Sequence, residues 1–145
     1  MTPRSTMMQV TKRIEFCAGH RLPGHEGKCR YFHGHNYRAD VTLAGGEDGL
    51  DQVGRLVDFA IIKNKIKGWI DHHWDHGMIL STDDEKARAM GFDRVFWMNG
   101  APTAERMAIR LVDEVVALFP EFSVTVTIWE TPNACATASR IQTPV

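Results

Sequence analysis

Between Phe16 and Tyr37 the chain reads FCAGHRLPGHEGKCRYFHGHNY, a stretch that holds four of the seven histidines and two of the three cysteines. Its glycines let backbone and ligand approach closely. His33 and His35 are separated by one residue, so in an extended segment both imidazoles fall on one face and can share a metal ion. His20 lies thirteen residues before His33 and can supply a third nitrogen if its segment pairs with that of His33. Three imidazoles leave one coordination position open, the catalytic rather than the structural arrangement of zinc. Cys29 and His33 fit no paired C-x-x-C or H-x-x-x-H framework, which argues against a cysteine-rich structural site and leaves Cys29 as a reactive-thiol candidate. Taken singly, each of these residues has a blander reading. A lone histidine is more often on the surface, Cys17 reads as a packed strand-end residue, Cys135 as an ordinary thiol, and His25, flanked by Gly24 and Glu26, as a loop residue outside the ligand set.

The elements that must position these groups follow from hydrophobic periodicity. Met8, Val10, Ile14 and Phe16 alternate with polar residues, as do Tyr37, Ala39, Val41 and Leu43, which predicts two half-buried strands joined by the histidine-rich loop. A turn follows at Ala44–Gly49. Asp58 is placed to cap a helix running to about Trp74, with Ile62, Ile66, Trp69, Ile70 and His73 on one stripe. Pro102 and Thr103 open a second helix whose Ala104, Met107, Ala108, Leu111, Val112, Val115 and Phe119 share a face, and Pro120 stops it. Val124, Val126 and Ile128 alternate over Ser123–Glu130, and Ala136–Gln142 suits a last strand. The order ββααββ predicts an α+β fold: a four-stranded antiparallel sheet with two helices packed on one face. Ser81–Phe92 reads as a polar connection.

A chain of 145 residues suits a single domain over residues 1–145, and its 43% hydrophobic and 24% charged content is that of a globular protein. The formal net charge of -1 and the lack of a basic run argue against nucleic acid as a partner. No apolar run approaches the roughly 20 residues that span a bilayer. Three cysteines, an odd number, and the lack of a hydrophobic signal core in Met1–Thr6 lead to the expectation of a cytoplasmic protein.

Several segments together resemble the 6-pyruvoyl-tetrahydropterin synthase and 6-carboxy-tetrahydropterin synthase family: His20, Cys29-x-x-x-His33-Gly34-His35-Asn36-Tyr37, Asp75-His76, Pro102-Thr103-Ala104-Glu105 and Glu130-Thr131. The match covers nearly the whole chain. It implies the tunnelling fold, in which subunits join their sheets into a barrel as a trimer or a hexamer, so a homo-oligomer is expected. It also implies Zn2+ held by His20, His33 and His35, and a dihydropterin triphosphate substrate.

On the matched positions the resemblance implies a catalytic set of Cys29, Asp75, His76 and Glu130. Cys29 would act as the base, His76 oriented by Asp75 would hold or relay the proton, and Glu130 would anchor the paired N–H donors of the pterin ring. Thr131 and Thr103 are the further substrate-binding positions. Asp71-His72 offers a second Asp-His pair; Asp75-His76 is the better match because Trp74-Asp75-His76-Gly77-Met78-Ile79-Leu80 resembles the family's segment. Chain length and the C-x-x-x-H-G-H spacing lean toward the 6-carboxy branch, a lyase at the start of the route to 7-deazaguanine compounds such as queuosine. The 6-pyruvoyl reaction and a non-catalytic pterin-binding module are the alternatives.

Overall fold

The computed structural model describes residues 6–142. Residues 1–5, most of the segment read above for a signal core, lie outside the described residues.

The longest strands are β1, Met7–His20, and β2, His33–Gly46. They pair antiparallel over their whole length, in a register that sets His20 opposite His33, Ala18 opposite His35 and Phe16 opposite Tyr37. Helix α1, Phe59–His73, begins where the Asp58 carboxylate accepts from the Ala60 N–H at 2.8 Å. It leads into β3, Gly77–Ser81, a short helix α2, Glu85–Ala89, and β4, Val95–Met98. Helix α3, Ala104–Leu118, is capped by Thr103, and β5, Ser123–Thr131, and β6, Ala134–Arg140, close the order.

The sheet has six strands, in the order β4-β3-β1-β2-β5-β6, rather than the four expected. The two additional strands run parallel to β1: β3 pairs with β1, and β4 with β3. Ile79, Leu80 and Ser81 of β3 are all buried, so the strand lacks the polar–apolar alternation that marks a half-exposed one. β4 has only four residues. The expected polar connection over Ser81–Phe92 in fact holds α2, a third helix, which starts where the Asp84 carboxylate accepts from the Ala87 N–H.

Ile62, Ile66 and Ile70 of α1, and Met107, Ala108, Leu111, Val112 and Val115 of α3, share one core with Ile14, Phe16, Tyr37, Ala39, Val41, Leu43, Val124, Val126 and Ile128 of the sheet. These strand residues follow the period-2 rule, so one sheet face is covered by the two long helices. The other face carries polar ladders, among them Arg13–Asp40 at 2.7 Å, Thr11–Thr42 and Thr127–Thr137. His20, His33, His35 and Glu130 continue the apolar rows at one end of the helix-covered face, where the core gives way to polar groups.

Candidate active site

The strand register brings the histidines together. The His20 and His33 rings are 4.6 Å apart between centroids, His20 and His35 5.1 Å, and His33 and His35 4.9 Å. Each has at least one nitrogen within 4.8 Å of a nitrogen on the other two. A close approach of β1 and β3 holds the end of this register in place, since a Cβ at Gly19 would collide with the Met78 sulfur and crowd the His33 carbonyl.

Backbone carbonyls orient two of the rings. His20 Nδ1 lies 2.9 Å from the Pro102 carbonyl oxygen and His33 Nδ1 2.7 Å from that of Tyr31. A carbonyl only accepts, so both Nδ1 atoms carry the proton and both Nε2 atoms present lone pairs. Burial pushes the His20 pKa down to about 4, against the raising effect of the Pro102 carbonyl, and neighbouring His33 and His35 add to the lowering. Burial also lowers that of His35, partly offset by the Glu130 carboxylate.

Glu130 Oε1 stands 3.5 Å from His20 Nε2 and 3.8 Å from His35 Nε2. His35 Nε2 is buried without a hydrogen-bond partner. Among the described residues the one hydroxyl in reach is that of Tyr37, 3.4 Å from His20 Nε2, and burial raises the pKa of this phenol, keeping it protonated. Imidazole lone pairs and a carboxylate oxygen thus converge with too few donors to satisfy them, an arrangement that a cation completes. The donor set suits Zn2+, which readily takes neutral imidazole nitrogens as ligands.

The Asp75-His76 turn docks on the edge of β1 just ahead of β3. Asp75 Oδ1 accepts from the Cys17 N–H at 3.0 Å and the His76 N–H donates to the Cys17 carbonyl at 2.7 Å, so the turn extends the β ladder past the start of β3. Asp75 Oδ2 lies 2.9 Å from His76 Nδ1. Partial burial works against the Asp75 charge, but the Cys17 N–H and His76 outweigh it and hold the carboxyl below the usual range. His76 therefore has a fixed Nδ1–H tautomer and a free Nε2, on a side chain 76% exposed. Its φ of 61° lies in the left-handed region, uncommon outside glycine.

Two adjoining hollows open beside this turn. Cys17, Gly34, His35, Asn36 and His76 line both, and the larger, of about 740 Å³, also has Tyr37, Arg38, Asp75, Glu130 and Thr131 on its wall. His35, Asp75, His76, Glu130 and Thr131 are thus brought to one space. Cys29 lies in the turn Lys28–Arg30 and lines neither hollow; Thr103 also lines neither, and its hydroxyl accepts from the Arg106 N–H. Asp71 is held by Lys67 at 2.6 Å, and neither it nor His72 borders the two hollows.

Sequence reasoning missed four participants. Cys17 touches Asp75 from fifty-eight residues away. Arg94 donates to the carbonyls of Asp71, His72 and Asp75, capping α1 and fixing the Asp75-His76 turn. Arg21 pairs with Asp84. Strand alternation sets Cys17 off the His20 face, a signal that it borders different space; nothing local marks Arg94 or Asp84.

A six-stranded sheet with two long helices on one face and an imidazole cluster at the end of its central strands defines a tunnelling-fold protein. The chain belongs to the 6-pyruvoyl tetrahydropterin synthase family, whose family model matches residues 9–140. It is 38% identical over 135 residues to a 6-carboxy-5,6,7,8-tetrahydropterin synthase of Rickettsia bellii, covering 88% of this chain and 96% of that one, and 37% identical over 138 residues to that of Rickettsia typhi, with the same coverage. In fold it matches a 6-pyruvoyl tetrahydropterin synthase of Plasmodium falciparum, with a TM-score of 0.73 at 17% identity over 94% of this chain and 99% of that one. The corresponding Caenorhabditis elegans structure gives 0.68 at 24% identity over 96% and 99%.

Proposed function

We propose that the protein is a zinc-dependent lyase of the 6-carboxy-5,6,7,8-tetrahydropterin synthase type. It would convert 7,8-dihydroneopterin triphosphate and one water to 6-carboxy-5,6,7,8-tetrahydropterin with loss of acetaldehyde and triphosphate, in 7-deazaguanine (queuosine) biosynthesis. The observation that carries the reading is the convergence of His20, His33 and His35 with the Glu130 carboxylate in a donor-poor site. The branch is supported by curated relatives at 36–38% identity that carry this name.

His20, His33 and His35 would hold the ion. When bound, zinc supplies an electrophile that stabilises negative charge on the substrate side chain. The remaining work falls to this chain's own residues. Glu130 and Thr131, on the wall of the larger hollow, fix the pterin ring, the carboxylate accepting from paired ring N–H groups. Cys29, as thiolate, takes a proton from the substrate side chain. His76, held by Asp75 through Nδ1–H, uses its free Nε2 to accept a proton and return it. Because Cys29 lies outside the hollows that His76 lines, the reading includes assembly into a homo-oligomer, a trimer or hexamer. The outer strands β4 and β6 offer free backbone edges for closure with neighbouring copies.

The test is a product assay with 7,8-dihydroneopterin triphosphate. Acetaldehyde released in step with 6-carboxytetrahydropterin is the expected result. Triphosphate release with a 6-pyruvoyl product would move the protein to the other branch, and binding without turnover would make it a pterin-binding module.

A further inference from the structure

Outside the three-histidine cluster, one other group of ligand-type side chains stands together among the described residues: Cys17, Asp75 and His76. We propose that these three form a second metal site, selective for a borderline-soft divalent ion such as Zn2+, and that filling it withdraws His76 from proton transfer.

The geometry supports coordination by one ion. Cys17 Sγ lies 3.8 Å from Asp75 Oδ1, His76 Nδ1 lies 2.9 Å from Asp75 Oδ2, and ligand atoms of all three residues lie within 4.8 Å of one another. Zinc bonds of about 2.3 Å to sulfur and about 2.0–2.2 Å to nitrogen and oxygen span such separations with small side-chain rotations. The backbone is fixed beforehand. The Cys17 N–H donates to Asp75, the His76 N–H donates to the Cys17 carbonyl, and the ladder holds His76 at its left-handed φ of 61°. A position of that kind persists only where surrounding structure over-determines it.

The donor types set the selectivity. One thiolate, one imidazole and one carboxylate favour zinc over magnesium or calcium, which ask for several oxygens. The site opens to solvent, since Cys17 and His76 line both hollows, and water can complete the coordination. Protons balance simply. The thiol proton leaves to solvent, and the His76 proton moves from Nδ1 to Nε2 as Nδ1 takes the metal. With Nδ1 on the metal and Nε2 protonated, the imidazole has no lone pair left to act as a base. Only this loss of turnover rests on the proposed function; the metal count stands by itself.

The experiment is equilibrium dialysis of the full-length protein against buffered zinc, with turnover measured on the same samples. Wild type should hold about two ions per chain at high free zinc, and Cys17→Ser about one. Turnover of wild type should fall at least tenfold as the second ion binds, while that of Cys17→Ser, whatever its level at low zinc, should show no such fall as zinc rises. A cobalt titration gives an independent reading: the second equivalent should bring a thiolate-to-cobalt absorption band that survives Cys29→Ser and disappears in Cys17→Ser. Asp75→Asn, read for metal content only, should also lose the second ion. Wild type that stops at one ion, or Cys17→Ser that still binds two, overturns the site. A second ion that leaves wild-type turnover unchanged overturns the inhibition. Protein that takes up the second ion but forms no pterin product at any zinc level counts against the enzymatic reading and leaves the site standing.

Discussion

Arg21 and Asp84 meet in a two-pronged ion pair, Nε to Oδ2 at 2.7 Å and Nη2 to Oδ1 at 2.6 Å, with the Asp84 side chain only 1% exposed. The same guanidinium donates through Nη1 to the Arg30 carbonyl at 3.1 Å. Arg21 follows His20 of the imidazole cluster and Arg30 follows Cys29, so one side chain ties the end of β1 to the turn that carries the thiol and to the start of α2. Asp84→Asn should therefore destabilise the fold by about 2–3 kcal/mol, somewhat less than the roughly 3–5 kcal/mol of breaking a fully buried pair because Arg21 keeps some access to water. Urea unfolding measures it, and an unchanged midpoint would dismiss the pair as a structural tie. The pairing with Arg21 holds the Asp84 carboxyl below its usual range. The stabilisation is thus complete above the unfolded value near about 3.9 and lost as pH falls through the folded one. The Asn variant should lose less stability than wild type over that acid window.

Metal content is the second prediction. Purified protein should carry about one zinc per chain at low free zinc, since three neutral imidazoles with one open position suit that ion. His33→Ala should lose most of it, as should His20→Ala and His35→Ala. Elemental analysis that finds wild-type stoichiometry in all three variants would remove the cluster as a metal site.

Much of this arrangement was legible in the sequence, and the parts that were not share a physical cause. The two-residue spacing of His33 and His35, with strand alternation on both sides of the loop, brings His20 within reach of them if the two strands pair, and the register of β1 and β2 meets that condition. Asp58 and Thr103 announced their helices because an N-cap is a local signal. β3 was hidden because a strand buried on both faces has no alternation, and β4 because four residues give too short a pattern. Asp84 reads as one polar residue among several until Arg21, sixty-three positions away, is set against it. Cys17 looked like a packed residue because the Asp75 carboxylate that meets it arrives from a turn beyond α1.

Glu130 carries the third prediction. Glu130→Gln replaces one acceptor oxygen by a donor facing the ring's own donors, so pterin affinity should weaken by roughly 1.5–3 kcal/mol, the scale of a charge-assisted hydrogen bond. Its carboxylate also lies 3.5 Å from His20 Nε2, so zinc content must be read on the same sample. Unchanged calorimetric affinity would take Glu130 out of the site. Weakened binding that follows loss of zinc would reassign it to the metal.

The last prediction separates base from ligand. If Cys29 takes the proton without binding zinc, Cys29→Ala should keep its metal and bind substrate nearly as well, while turnover falls by roughly 10²–10⁴, the usual worth of a positioned acid or base. His76→Ala should lose turnover on the same scale, because its Nε2 is the free nitrogen of the Asp75-held ring. Combining the two should cost less than the product of the single losses, since groups on one proton path are not additive. Asp71→Ala and His72→Ala should be milder, as Asp71 is held by Lys67 at 2.6 Å on an exposed stretch of α1. A Cys29→Ala protein that arrives without zinc would make the thiol a fourth ligand and close the open position on which the mechanism depends.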